Sequence, residues 1–253
     1  MGRKKGQSIC IFSTKGGTGC SITALNLAGI FSLANKKVLL IDYDLSFGSI
    51  ALMLNKTFDK TIYNFVDDYA NNRFKSLTDY VTQNNDNIYF LPGTKDPRQS
   101  AKINFNYIEL IIEKAIFEYD YVIIDTNHDL SEKNVFLLDY VDRILLIMGN
   151  DLTNINNMRS LIKIFDDANI KNYKILLNES ISLYKNYFSL YDIKKMIEAN
   201  IDYYLDNSFF IKNIDNYIYD GSIITLDKRF IKSYPKINKV FNLILKDMEE
   251  ENE

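Results

Sequence analysis

The run Lys15-Gly16-Gly17-Thr18-Gly19-Cys20-Ser21 gathers glycines, a cation and two hydroxyls into one short segment. Those residue types suit the binding of phosphate. Glycines let backbone N–H groups converge on an oxyanion with no side chain in the way. An apolar run, Ile9–Ser13, leads into the segment, and a helical pattern from about Ile22 to Ala34 leaves it. A helix start at that place adds its partial positive charge to the cradle. The expected cradle is Gly16, Gly17, Thr18, Gly19, Cys20, Ser21 and Ile22, with the Ser21 hydroxyl offered to a magnesium ion held on the phosphates. Thr14 stands where an ordinary phosphate loop has its first glycine, and Cys20 where it has its lysine. Charge compensation then falls to backbone N–H groups, magnesium and Lys15. A tight turn with no ligand is the plainer alternative.

Two further groups carry acids. Val38-Leu39-Leu40-Ile41-Asp42-Tyr43-Asp44 places Asp42 and Asp44 at the end of an apolar run. Sheets of the α/β type put ligands at that end of their strands, although Asp44 suits a turn cap equally well. Tyr121-Val122-Ile123-Ile124-Asp125-Thr126 ends in a third acid, in the layout of a magnesium-supporting carboxylate. His128, the only histidine in the chain, follows in the same segment. Histidine is a residue type suited to a proton shuttle, but a lone loop histidine is more often simply solvated.

These residues need strands to position them. Apolar runs at Ser8–Ser13, Lys37–Asp42, Asn87–Leu91, Tyr121–Asp125, Arg143–Met148 and Lys174–Asn178 read as strands buried on both faces, with a weaker one at Asp202–Leu205. Helical spacing occurs over Phe105–Tyr119, Asn156–Ala168 and Lys236–Met248. The alternation predicts an α/β fold, a doubly wound, mostly parallel sheet with helices on both faces. The 253 residues are expected to form a single ATP-binding domain.

The Lys-Gly-Gly-x-Gly loop, the Asp42-Tyr43-Asp44 acids and the strand ending in Asp125-Thr126 together resemble the MinD/ParA group of deviant phosphate-loop ATPases. Within it, the stretch Ile41–Leu52 and the missing loop lysine are most similar to the CpaE/TadZ branch tied to pilus assembly. The extra receiver-like N-terminal domain of many members is not expected here. The resemblance implies bound ATP and Mg2+ and a homodimer that sandwiches the nucleotide. It implies that Lys15 reaches the partner subunit's nucleotide, that Asp42 orients water and helps hold the metal, and that Asp44 lies near the interface. Asp125 and Ser21 become metal-holding residues. Asn178, which suits a simple turn equally well, is implied to read the adenine base. The implied partners are pilus or secretion machinery proteins.

Composition narrows the alternatives. A formal net charge of −3 argues against a strong nucleic-acid footprint, and the basic residues Lys228, Arg229, Lys232, Lys236 and Lys239 read first as a solvated face. Cys10 and Cys20 suggest neither a disulfide framework nor a zinc site. No segment is long and apolar enough to span a bilayer, and the apolar run at Ile9–Phe12 is too short for a signal peptide core. A cytoplasmic location follows, with any membrane contact peripheral. The expected role is a slow ATPase and ATP-dependent dimeric switch. Its rivals are a non-hydrolysing scaffold and a DNA-partition ATPase.

Overall fold

The computed structural model describes residues 5–181, 188–212 and 214–250. Its strands are β1 (Gln7–Phe12), β2 (Val38–Asp42), β3 (Thr82–Gln83), β4 (Ile88–Leu91), β5 (Tyr121–Asp125), β6 (Arg143–Met148), β7 (Tyr173–Asn178) and β8 (Tyr203–Leu205). They form one sheet in the order β3-β4-β2-β5-β1-β6-β7-β8. Every pairing is parallel except that of β3 with β4. The pairs of β3 and β4 are Thr82 with Phe90 and Gln83 with Tyr89. A strand of two residues has no readable period of its own, so β3 escapes sequence reading.

The helices are α1 (Cys20–Leu33), α2 (Ile50–Met53), α3 (Ile62–Ala70), α4 (Asn106–Glu118), α5 (Glu132–Tyr140), α6 (Leu152–Asp167), α7 (Leu190–Ile197), α8 (Ile214–Tyr219), α9 (Lys228–Ser233) and α10 (Pro235–Glu250). They cover both faces of the sheet, because successive strand residues point to opposite sides. Cys10 and Phe12 of β1 pack into a core with apolar residues of α3 to α7. Ile9 and Ile11 pack into a second core with α1 and α10. A strand buried on both sides must be apolar throughout, which is why the strands read as unbroken apolar runs.

Helix α10 sets Ile237, Phe241, Ile244 and Leu245 against α1 and the sheet, so this amphipathic helix is spent on the domain's own core. The Asn156–Ala168 helical pattern begins earlier than its apolar spacing suggests, at Leu152. Asp151 caps α6 by accepting from the N–H groups of Thr153 and Asn154 at 3.1 Å each. Among the described residues, no helix is long and apolar enough to cross a membrane.

Strand register brings the acids to the loop. Asp42 and Asp125 are paired neighbours on β2 and β5, and Ile11 of β1 pairs with Asp125. The loop leaving β1 therefore starts beside the last residue of β5. Asn178 ends β7 on the other flank.

Candidate functional site

The loop between β1 and α1 is fixed through its carbonyl oxygens. The Lys15 carbonyl accepts from the Ser13 hydroxyl at 2.8 Å and the Thr18 hydroxyl at 3.3 Å. The Thr14 carbonyl accepts from the Asn157 amide at 3.2 Å, and the Thr18 carbonyl from the Asn178 amide at 2.9 Å. A trans peptide points its N–H away from its C=O, so anchoring these oxygens outward turns the next N–H groups inward.

Two glycines permit the path. Gly17 and Gly19 lie at φ 78° and 95°, where other residues are strained. At Gly19 a Cβ would also fall 2.8 Å from the Asn178 amide nitrogen. Gly19 caps α1 without any side-chain hydrogen bond, and the first turn of that helix holds no acid. Its leading N–H groups are thus available to an anion.

The acids lie below the loop. Asp42 and Asp125 are each 2% exposed. Asp42 accepts from the Ile50 N–H at 3.0 Å and so starts α2, and Gly48 leaves room for it. One oxygen of each carboxylate, Oδ1, is buried with no hydrogen-bond partner. Burial, and then the charge of Asp44, pushes the Asp42 carboxyl up to about 7, against bonds from the backbone. Burial and the Asp42 charge push Asp125 well above the usual carboxylate range, although the Ser21 hydroxyl bonds to it. The Ser49 hydroxyl in turn donates to Ser21 at 3.1 Å.

Such a pair is costly unless a cation joins it. Magnesium bound chiefly through phosphates needs only one or two protein carboxylates. Ser21, Asp42 and Asp125, with two unmet oxygens between them, therefore fit a magnesium ion, and the loop above fits phosphates. Among the described residues, no cluster of three or more His, Cys, Asp or Glu side chains forms a metal site by itself.

A pocket of about 480 Å³ opens over the loop, a size suited to a small-molecule ligand. Gly16 to Ile22, Asp44, Thr126 and Asn178 line it, and Leu205, Phe209 and Phe241 form its apolar end. Asp44 also caps its own turn, accepting from the N–H groups of Ser46 and Phe47. Asn178 braces the loop through Thr18, while its side-chain oxygen accepts from the N–H and hydroxyl of Ser180 at 3.1 and 2.6 Å. Cys20 carries no charge to the pocket: burial, then the nearby Asp125, pushes its thiol up to about 12.

Of the expected site residues, Asp42 and Asp125 lie beneath the loop rather than in the pocket lining, and Lys15 is set to the side. Its ammonium pairs with Asp151 at 3.2 Å. Partial burial opposes the charge on Asp151, but bonds from Asn154 and Lys15 hold its carboxyl below the usual range. Sequence reading misses Asp151, Asn157, Ser49 and Ser180. Only Asp151 has a sequence signal, as an aspartate just ahead of a helical pattern.

A phosphate-cradling loop at the carboxyl edge of a parallel sheet, with acids on the adjoining strands, defines a phosphate-loop nucleotide-binding protein. The family described as AAA domain matches residues 6–183, and the chain belongs to it. An uncharacterized ATP-binding protein of Methanocaldococcus jannaschii is 26% identical over 58% of this chain and 54% of its own length. The septum site-determining protein MinD of Bacillus subtilis is 23% identical over 68% of this chain and 65% of its own. The matched stretch thus spans a little over half to about two thirds of these relatives. Among solved structures, a ParA family ATPase from Chlorobium tepidum superposes with a TM-score of 0.77 at 20% identity, covering 93% of this chain and 96% of that one. MinD of Pyrococcus horikoshii, solved with Mg-ADP, gives a TM-score of 0.75 at 19% identity, covering 93% and 92%. The chain shares the fold of these MinD and ParA structures.

Proposed function

We propose that this protein binds ATP with magnesium and works in the cytoplasm as a slow, ATP-dependent dimeric switch that positions pilus or secretion machinery. The carrying observation is the phosphate-ready loop set directly above two buried acids with unmet oxygens. Gly16 to Ile22 would hold the phosphates, and Ser21, Asp42 and Asp125 the magnesium. The metal, when bound, offsets charge on the phosphates and makes the terminal one easier to attack. Asp42 is the residue assigned to orient the attacking water, and Asn178 holds the loop in shape. Lys15, on the rim, is assigned to the nucleotide of a second copy once it leaves Asp151. The pilus assignment rests on the Ile41–Leu52 stretch and on Cys20, both similar to the CpaE/TadZ branch.

Cys20 also supports a second reading. A neutral thiol in place of a cation stabilises less of the charge that develops in phosphoryl transfer. The protein would then be a scaffold that holds ATP without cleaving it. Light scattering with and without Mg-ATP, followed by single-turnover hydrolysis, tests both. Conversion of monomer to dimer by ATP with slow turnover is expected. Dimerisation without turnover selects the scaffold. No response to Mg-ATP in either measurement overturns the nucleotide switch.

A further inference from the structure

The geometry points to His128 as the cationic side chain that meets the terminal phosphates in this pocket, taking the place of the missing loop lysine. This inference rests on the nucleotide reading above and deepens it.

The charge inventory carries the argument. The described residues lining the pocket include no lysine and no arginine, and His128 is the one among them able to carry a positive charge. Cys20 is neutral and Lys15 is held aside by Asp151. The remaining ionisable groups in and below the pocket are the acids Asp44, Asp42 and Asp125. A triphosphate entering such a site meets like charge and needs a positive partner.

His128 is placed to supply it. A methyl group on Gly16 would lie 3.4 Å from its Cε1 and 3.5 Å from its Nδ1, so the ring stands over the first glycine of the cradle. Its loop is braced on both sides. The Thr126 hydroxyl donates to the Ile11 carbonyl at 2.9 Å, and the Asn134 amide donates to Asn127 at 2.5 Å and to Asp129 at 2.9 Å. Asp129, the acid next to His128, is occupied by Asn127, Ser131 and Asn134. Among the described residues, His128 itself has no hydrogen-bond or ion-pair partner, so both ring nitrogens are open to a ligand. The charged groups of the site are Asp44, which lines the same pocket, the Lys15–Asp151 pair beside the first glycine of the loop in sequence, Asp129 in the His128 loop, and the buried Asp42 and Asp125.

Binding and protonation must then be linked. Imidazole ordinarily titrates near ~6.5, and a phosphate favours its charged form. If ATP binds the protonated ring about tenfold more tightly, bound ATP moves the ring's titration midpoint up by about one pH unit. The buried acids act oppositely, since magnesium must displace their protons, so the His128 contribution is isolated by comparison with a variant.

His128 is the only histidine in the chain, so its ring C–H resonance is unambiguous in untagged protein. The experiment follows that resonance from pH 5.5 to 8.5 with magnesium alone, with Mg-ATP and with Mg-AMP. It also measures the Mg-ATP Kd of wild type, His128→Gln and His128→Lys at pH 6 and 8, with thermal unfolding of each variant as a check on folding. The expected result is an upward midpoint shift with ATP and a smaller one with AMP. Wild type should bind about tenfold more tightly than His128→Gln at pH 6 and about equally at pH 8, while His128→Lys binds tightly at both. ATP that binds without moving the midpoint overturns the role of His128 alone, as does a Gln variant equal to wild type at both pH values. Failure of ATP to bind at any pH overturns the nucleotide reading together with it.

Discussion

The loop after β1 and the acids ending β2 and β5 face the same ligand but are built in opposite ways. In the loop, the carbonyls of Thr14, Lys15 and Thr18 are all bonded by side chains, and the strained positions are held by glycine. Nothing in it has to be rebuilt when phosphate arrives. At the acids, two carboxylates sit buried on adjacent strands, each with one oxygen unbonded, and each is pushed toward its neutral form. The loop's anchored carbonyls are satisfied without ligand, although the buried Thr14 hydroxyl has no partner, whereas the acid pair is satisfied only by a cation or a proton. The contrast teaches that shape at this site is fixed in advance and charge is left open. Preorganised donors cost nothing to reorient on binding, while an unmet charge makes the fold itself responsive to what binds.

The largest effect should come from breaking the satisfied half. Gly19→Ala puts a Cβ at φ 95° and 2.8 Å from the Asn178 amide. The backbone strain costs ~1–2 kcal/mol, and expelling Asn178 from the Thr18 carbonyl costs ~1–3 kcal/mol. A loss of about 3 kcal/mol in urea unfolding is expected on those grounds, with loss of ATP binding. A variant that unfolds and binds as wild type does would show that the loop is not held by this brace.

An effect of opposite sign, on stability alone, should come from the unsatisfied half. Asp42 is raised to about 7 in the folded protein, against ~3.9 for an unfolded aspartate. Below pH ~4 the group is neutral in both states and costs nothing. As pH climbs toward 7 the unfolded chain ionises first, so folded stability falls, and above that it levels off. Asp42→Asn keeps an acceptor for the Ile50 N–H and removes one charge. Free of nucleotide and magnesium, it should be more stable than wild type by up to about 4 kcal/mol at pH 8, the full linkage of that shift, and nearly equal at pH 4. Equal stability at both pH values would mean that the pair carries no unmet charge.

The smallest effect belongs to the rim. The Lys15–Asp151 pair is largely solvated, with 43% and 35% of the side chains exposed. Lys15→Ala should change monomer stability by less than about 1 kcal/mol while abolishing dimerisation by Mg-ATP in light scattering. Normal dimerisation of this variant would leave Lys15 a rim residue with no role across an interface.

The sequence by itself determined most of the strands and their succession along the chain. A strand buried on both faces has to be apolar at every position, so β1, β2, β5, β6 and β7 can be read from composition alone. The loop was equally legible, because glycine adopts the backbone at Gly17 and Gly19 without strain. What the sequence did not contain was distance. Asp42 and Asp125 are 83 residues apart, and only β2 pairing with β5 sets them side by side and raises both. The bonds from Asn157 to Thr14 and from Asn178 to Thr18 cross the chain with no local pattern to announce them. The pairing of Lys15 with Asp151 and the closeness of His128 to Gly16 are of the same kind. Backbone conformation and burial leave a periodic trace in the chain, whereas the meeting of polar side chains from different crossovers depends on the register of the finished sheet.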